Sequence, residues 1–322
     1  MNNGKYYLWR KNPSFPARCL RDNSPYPEFR IPQPSETLLF PSGRQALTAS
    51  LAEAGLSRSD LIAVPQWSSH CVLSALSKIG TPVPYKEVLN YDIQCAAVIL
   101  YEQWGWFYDE SYFFDFFEKF SESTIILDRV DTPGFNKEIS SIGSDVYQLW
   151  SLSKTLGCKN AGLALKPNGQ WLSPVVQERS KDVEFIDSNV ALFSDDFLKN
   201  YATYADLASR KLVENKLLFD SWFAEGIERT KRAEFIINSI SDDFKLKHRL
   251  DIGSMPGVFP LVLGGAEKAR IKMLEKCFDL KIEARVYNFD VSADPLDPDY
   301  RKCVAVPIHS EIPMDILDRL FS

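Results

Sequence analysis

The chain has 322 residues, of which 45% are hydrophobic and 25% are charged, a composition typical of globular proteins with a large core. A formal net charge of -6 leaves no basic surplus to neutralise a phosphate backbone, which argues against a dedicated nucleic-acid binder. No apolar run approaches the roughly 18 residues that a membrane-spanning helix needs, so the sequence predicts no membrane segment.

Cysteine and histidine content favours neither disulfides nor a zinc site. The six cysteines include no CxxC pair, and the three histidines show no HxH or HExxH spacing. The N-terminal stretch MNNGKYYLWRKNPSF has no apolar segment after its basic residues, so we expect no secretory signal. These features predict reduced thiols and a cytoplasmic protein.

The chain begins with an arm and continues with alternating apolar runs and helical patterns. Residues 1–38 are rich in Pro, Asn, Ser and Arg without a period, which predicts an irregular arm. Predicted strands then follow at Leu61–Pro65, Thr81–Tyr85, Ala96–Tyr101, Thr124–Asp128, Val146–Trp150 and Ala161–Leu165, with helices from about Ser42, at Cys71–Ile79 and at Ser111–Phe120. Apolar strands separated by helices indicate a mainly parallel sheet covered on both faces.

A different pattern follows a long helical stretch at about residues 196–240. It predicts strand, helix, strand, strand and helix at Phe259–Leu263, Glu267–Phe278, Arg285–Phe289, Val304–Pro307 and Met314–Phe321. This order is typical of a compact α+β unit. We therefore expect a large α/β domain at residues 39–235 and a small C-terminal α+β domain at residues 236–322.

Polar residues lie at a predicted helix start and after predicted strands, where α/β sheets bind ligands. Ser42-Gly43-Arg44 opens a helix, whose amide groups and dipole favour an anion, although Ser42 could simply be an N-cap. In the loop after LIAVP, Trp67 could stack on a flat ring or pack in the core. Asp128 ends the strand TIILD and could cap a turn or face a ring nitrogen.

A lysine follows the strand VYQLW in the segment Ser151-Leu152-Ser153-Lys154-Thr155. A lysine that leaves a sheet beside small hydroxyl residues can form a Schiff base with a carbonyl compound, whereas most loop lysines have no such role. The order of anion-binding turn, aromatic loop, carboxylate and lysine favours the chemical interpretation.

These segments carry a resemblance to a known family. SLSKTLGCKNAGLAL at 151–165 resembles the lysine segment of fold-type I pyridoxal-phosphate (PLP) enzymes, and the order and spacing resemble the DegT/StrS sugar aminotransferases. Further resemblances are SGRQAL at 42–47 to the phosphate-binding segment, GLSRSDLIAVPQWSSH at 55–70 to the aromatic loop, VILYEQWGW at 98–106 to a strand and turn, and VAVPIHSEIPMDILDRLF at 304–321 to the closing strand and helix. The resemblance covers about residue 40 to the end.

The resemblance implies a PLP fold-type I architecture, with a seven-stranded-type sheet, and roles for named residues. Lys154 would bind the cofactor covalently and move a proton, and Asp128 would keep the pyridine nitrogen protonated. The implied cofactor-binding residues are Ser42, Gly43, Arg44, Trp67, Ser69, His70, Asp131, Ser151 and Asn200.

Three positions depart from the family pattern. Asp131 stands where the family often has glutamine, and Arg44 stands where a serine or threonine is usual. Ser69 lies nearest to the usual stacking aromatic, so Trp67 or His70 would take that place.

The resemblance further implies an aminotransferase that moves an amino group from an amino acid, with glutamate as the expected donor, to a keto sugar on a nucleotide carrier. It implies a homodimer in which Asn200 reaches the partner's phosphate site, although Asn200 could also simply end a helix. Two alternatives stay open: a PLP enzyme with a non-sugar substrate, and a chain with degraded catalysis that keeps a binding role. A chance match of the lysine segment is a further alternative.

Overall fold

The computed structural model describes residues 5–9, 37–40, 42–106, 108, 110–132, 146–155, 162–166, 216–240, 256–264, 267–292 and 294–322. None of the helices in this part of the chain combines the length and the apolar character that crossing a membrane requires.

A seven-stranded sheet forms the centre of the first region. Its strands are β1 (Thr37–Phe40), β2 (Leu61–Val64), β3 (Thr81–Pro84), β4 (Ala97–Tyr101), β5 (Thr124–Asp128), β6 (Val146–Ser151) and β7 (Gly162–Leu165). They lie in the order β1-β7-β6-β5-β4-β2-β3. Neighbours from β3 to β6 pair in parallel, whereas β7 pairs antiparallel with both β6 and β1. The mainly parallel sheet expected from the sequence is confirmed.

The central strands are apolar throughout because both faces of the sheet are covered. Successive residues of a strand point to opposite faces. Ile99 of β4 and Ile126 of β5 join one buried cluster, while their neighbours Leu100 and Leu127 join the cluster on the other face. A strand buried on both faces loses the polar alternation of a surface strand, which is why these runs could be predicted from sequence.

Helices cover the large sheet and extend into the second region. They are α1 (Gly43–Glu53), α2 (His70–Leu76), α3 (Tyr85–Asn90), α4 (Glu110–Lys119), α5 (Leu152–Thr155), α6 (Lys216–Ser239), α7 (Glu267–Asp279) and α8 (Met314–Phe321). Tyr85 was expected to end a strand but begins α3 instead. Its buried ring packs against Phe116 of α4, and its hydroxyl donates to the backbone oxygen of Ile99.

A three-stranded antiparallel sheet forms the second region. Its order is β8 (Val258–Leu261), β10 (Tyr300–Pro307) and β9 (Arg285–Asp290). Its apolar residues form one core with residues of α7 and α8, and with Ala233 and Ile236 of α6. Because α6 runs across residues 235 and 236, the expected domain boundary falls inside a helix; the division into domains stays a prediction.

The N-terminal arm expected at residues 1–38 contains ordered contacts. Thr37 and Leu38 already belong to β1. Residues 5–9 pack against the second region, where Tyr6 donates its backbone amide to Lys281 O at 2.8 Å and forms an isolated parallel bridge with Ile282, between α7 and β9. Because of this contact, Trp9 lies next to the edge of the large sheet although it is near the start of the chain.

Candidate functional site

A cavity of about 550 Å³ opens at the carboxyl ends of β4, β5 and β6. Its lining includes nine of the side chains expected from the sequence: Ser42, Gly43, Arg44, Trp67, Ser69, Asp128, Asp131, Ser151 and Lys154. His70, the first residue of α2, is exposed and is not among the residues that line the cavity. Asn200 lies outside the described residues.

The N-terminus of α1 forms one end of the cavity. Ser42 caps the helix, its hydroxyl oxygen accepting from the Gln45 amide at 3.3 Å. A Cβ built on Gly43 would lie 2.9 Å from Cγ1 of Val130 and 3.5 Å from Cβ of Ser151, so a larger residue would crowd this end. Gly162 of β7 allows the close approach of the chain here, because a Cβ on it would overlap the backbone of Ser42. The first turn of a helix attracts anions through its amide groups and dipole.

The segment after β6 places Lys154 in the cavity wall. Leu152 and Thr155 of the short helix α5 are buried, and the Thr155 hydroxyl donates to Ser151 O at 3.1 Å. Lys154 lies between them with 38% of its side chain exposed, toward the cavity. Packing on both sides of the lysine therefore fixes the backbone from which it extends.

Two carboxylates lie next to this amine. Lys154 Nζ is 2.5 Å from Oδ1 of Asp131, whose other oxygen accepts a hydrogen bond from the Tyr101 hydroxyl. Asp128 is buried, and its Oδ1 accepts from the Val130 amide at 3.2 Å. In the described part of the chain, Asp128 makes no ion pair. Asp131 is thus the carboxylate that contacts the lysine, whereas Asp128 lines the cavity within range of the Lys154 charge but forms no ion-pair contact with it.

Burial and charge change the protonation of both groups. Burial and, second, the nearby Asp131 carboxylate raise the pKa of Asp128 to about 7. For Lys154, burial opposes the charged amine, but the charge of Asp131 and its hydrogen bond outweigh this cost, so the pKa of Lys154 is raised. The cavity therefore favours a charged lysine beside a carboxyl group that titrates near neutrality.

A buried brace of side chains fixes the strand ends behind the cavity. Arg129 is fully buried and donates from Nε to Glu102 at 2.5 Å and from a terminal nitrogen to Gln148 at 2.6 Å. Arg129 and Glu102 directly follow β5 and β4, and Gln148 lies within β6, so their bonds connect three neighbouring strands. A buried guanidinium is stable only when its N–H groups are hydrogen-bonded. The bonds from Arg129 to Glu102 and Gln148 therefore hold the three side chains rigidly in place.

A second buried pair connects the lysine segment to the C-terminal region. Arg229 of α6 pairs with Glu225 at 2.7 Å, and it donates to Thr155 O at 2.9 Å and to Gly257 O at 3.2 Å. A Cβ on Gly257 would overlap the backbone oxygen of Asp131. Contacts from Arg229 and Gly257 therefore hold the backbone next to Lys154 and at Asp131 in place.

Tyr101 and Trp9 are among the cavity residues that the sequence analysis missed. Tyr101 ends β4 at the same edge as Asp128, with which it pairs in register, and the strand-end argument could have identified it. Trp9 lies in the segment interpreted as an irregular arm, yet Lys154 Nζ is 5.1 Å from the centroid of its ring. No local pattern pointed to Trp9, because its place depends on pairing with residues more than two hundred positions away.

Comparison with known proteins gives a family match. Residues 28–251 match the sequence model of a family described as "Putative PLP-dependent aminotransferase". A search of curated proteins finds no match.

Solved structures share the fold at low sequence identity. NtdA from Bacillus subtilis, solved with bound cofactor PMP, has a TM-score of 0.62 and 14% identity over 88% of this chain and 71% of its own. The PLP-form of "Putative sugar aminotransferase Spr1654" from Streptococcus pneumoniae has a TM-score of 0.59 and 14% identity over 93% and 91% of the two chains. A DegT DnrJ EryC1 StrS aminotransferase from Brucella abortus has a TM-score of 0.59 and 13% identity over 88% and 84%. At these identities the likeness shows the fold alone.

Proposed function

We propose that this chain, which belongs to the family of PLP-dependent aminotransferases, moves an amino group from glutamate to a keto sugar. The observation that carries the proposal is the convergence of Lys154, Asp128 and the N-terminus of α1 on one cavity. An amine, a carboxyl group and an anion site are the three groups that a phosphorylated pyridine aldehyde requires.

The described residues fit that cofactor. Gly43 and the first turn of α1 leave room for a phosphate, and Ser151 borders the same end of the cavity. Asp128 is a buried carboxyl group without an ion-pair partner among the described residues, and a protonated ring nitrogen would supply that partner. Lys154 extends its amine into the cavity between these two ends.

Each of these residues then has a stated task. Bound PLP supplies an electron sink for the electrons released when a substrate Cα loses its proton. Asp128 holds a proton at the ring nitrogen, since a negative charge beside that nitrogen favours its cationic form. The Lys154 amine, once free, would accept the proton from the donor Cα and deliver it to the cofactor carbon C4′, on the other side of the amino nitrogen. Gly43 and the α1 amides orient the phosphate end.

The proposal also names the two substrates, a keto sugar as amino acceptor and glutamate as amino donor. Support for a sugar acceptor comes from the Streptococcus pneumoniae neighbour, described as a sugar aminotransferase, and from the resemblance to DegT/StrS enzymes. The exposed ring of Trp67 and the ring of Tyr287 line the cavity and offer apolar faces to a sugar ring. Glutamate as donor and a nucleotide carrier rest on the resemblance. The homodimer and the cytoplasmic location likewise remain predictions.

The donor and acceptor are tested by the visible absorption of the purified, PLP-loaded protein. We expect glutamate to bleach the visible band, because transfer of its amino group would convert the cofactor to the pyridoxamine form, which lacks the conjugated imine. Nucleotide-linked keto sugars, added after the glutamate has been removed, should restore the band, whereas simple keto acids unrelated to glutamate serve as the control.

The outcomes separate the alternatives. Restoration by another carbonyl compound and by no keto sugar would overturn the sugar acceptor. A band that ignores every amino donor would contradict transamination and favour a chain that keeps the cofactor only for binding.

A further inference from the structure

The Asp131 carboxylate is held at both of its oxygens. Oδ1 lies 2.5 Å from Lys154 Nζ, and Oδ2 accepts from the Tyr101 hydroxyl. Only 4% of the side chain is exposed. A carboxylate that is buried and bonded at both oxygens cannot rotate away from the amine without losing a hydrogen bond.

The backbone of Asp131 is also fixed. The turn that carries it is closed by a hydrogen bond from the Thr132 amide to Arg129 O at 3.2 Å. Arg129 is itself locked by Glu102. On the other side, the backbone oxygen of Asp131 faces Gly257, where a side chain would not fit. The chain thus places a negative charge at a defined point beside Lys154.

Other groups face the amine from each neighbouring element. Asp128 lies on β5, Cys71 on α2, and the ring of Trp9 on the N-terminal segment, 5.1 Å from Nζ. Asp128 is the weaker negative charge of the two carboxyl groups, because burial and Asp131 favour its neutral form. Asp131 therefore dominates the charge that Lys154 meets.

We propose that, in the cofactor-free chain, Asp131 is a positioning residue that holds the charged Lys154 amine and aims it into the cavity, and that Tyr101 and the Gly257 segment hold Asp131 in place. The glutamine that the DegT/StrS pattern has at this position would contribute no charge. The proposal rests on the assignment of Lys154 in the proposed function. It adds that the carboxylate of Asp131, in place of an uncharged glutamine, makes the Lys154 amine of the cofactor-free chain hold its proton more tightly.

Trace acetylation of the cofactor-free protein across a pH series tests this directly. Only the neutral amine reacts with acetic anhydride, so the pH at which labelling of one lysine rises reports its pKa, and peptide mass spectrometry resolves each lysine. We expect Lys154 to become reactive at higher pH than Lys86, an exposed surface lysine labelled in the same sample. In Asp131→Asn, which keeps the shape and removes the charge, the Lys154 transition should move down by about one pH unit or more.

Matched variants give the control. Asp131→Glu keeps the charge and should leave Lys154 reactive only at high pH, whereas Asp128→Asn removes a carboxyl group that does not contact Nζ and should shift it less. Equal transitions in the wild type and Asp131→Asn would overturn the proposal. If Asp131→Asn does not fold, as judged by near-ultraviolet circular dichroism, the wild type decides: a Lys154 that titrates with or below Lys86 is the contradicting result.

A second readout follows the uptake of PLP by the cofactor-free chain. A charged amine must lose its proton before it attacks the cofactor aldehyde, so uptake by the wild type should reach its plateau rate at a higher pH than uptake by Asp131→Asn. Identical pH profiles would contradict the proposal. Neither measurement requires amino transfer, so a failure of the proposed reaction leaves both results interpretable.

Discussion

Lys154→Ala is expected to abolish amino transfer, with a loss of on the order of 10³-fold or more. The alanine removes both the amine that binds the cofactor covalently and the base that moves the proton. In the described part of the chain, Lys154 is the lysine that lines the cavity, so no described lysine could take over its role. The measurement is the single-turnover rate with glutamate, followed by the loss of visible absorption.

The matched control is Lys86→Ala, which removes an exposed lysine from α3. It should keep the wild-type rate. Loss of activity in both variants would indicate a general effect on folding, and retention of activity in Lys154→Ala would refute the assignment of the lysine.

Asp128→Asn is expected to stabilise the cofactor-free protein while it impairs the loaded enzyme. Burial and, second, the Asp131 carboxylate raise the pKa of Asp128 from its ordinary value of 3.8 to about 7, so the folded state holds this proton more tightly than the unfolded state. Stability is therefore lost as the pH rises through that interval, and ionised Asp128 costs on the order of 4 kcal/mol above it. Asparagine removes this cost and its pH dependence.

Denaturant titrations at two pH values measure the effect. The gain in unfolding free energy should be larger at about pH 8.5 than at about pH 5.5, by roughly 2 kcal/mol. Asp92→Asn is the control, because Asp92 is exposed and adopts a φ of 48° that asparagine tolerates. An equal gain in unfolding free energy at both pH values would show that the folded state does not raise the pKa of Asp128.

The loaded Asp128→Asn enzyme should lose most of its turnover. An amide cannot hold the ring nitrogen in its cationic form as a carboxylate does, so the electron sink weakens. Stabilisation of the empty protein together with loss of turnover would separate a functional role for Asp128 from a structural one. Unchanged turnover would remove the proposed role at the ring nitrogen.

The sheet could be predicted because its strands are buried on both faces. Ala97–Tyr101 and Thr124–Asp128 are continuous apolar runs, and the residues that end them fall at the edge where parallel strands bind ligands. The same argument located Asp128, and the resemblance located Lys154. Local pattern was sufficient here because each feature is carried by a few consecutive residues.

The supports of the site could not be predicted from local pattern. Arg129 and Glu102 follow strands as charged residues, which usually indicates exposure, yet they bury each other as an ion pair. Trp9 reaches the cavity only because the N-terminal segment pairs with the chain around Ile282, between α7 and β9. Both depend on contacts between distant parts of the chain.

The aromatic loop shows a mixed outcome. Trp67 lines the cavity, but it is 57% exposed and meets Tyr300 edge to face, with ring centroids 6.4 Å apart. His70, at the start of α2, is exposed and does not line the cavity, although its neighbours Ser69 and Cys71 do. Sequence identified the loop, whereas the direction of each side chain depends on where the helix begins.

The most direct test of the central claim is to reduce the PLP-loaded protein with borohydride and map the peptide that carries the cofactor. Borohydride makes the bond between a lysine and the cofactor permanent, so mass spectrometry can locate it. We predict the added mass on Lys154, near full occupancy, and its absence in Lys154→Ala. Cofactor on another lysine, or none on any peptide, would contradict the assignment.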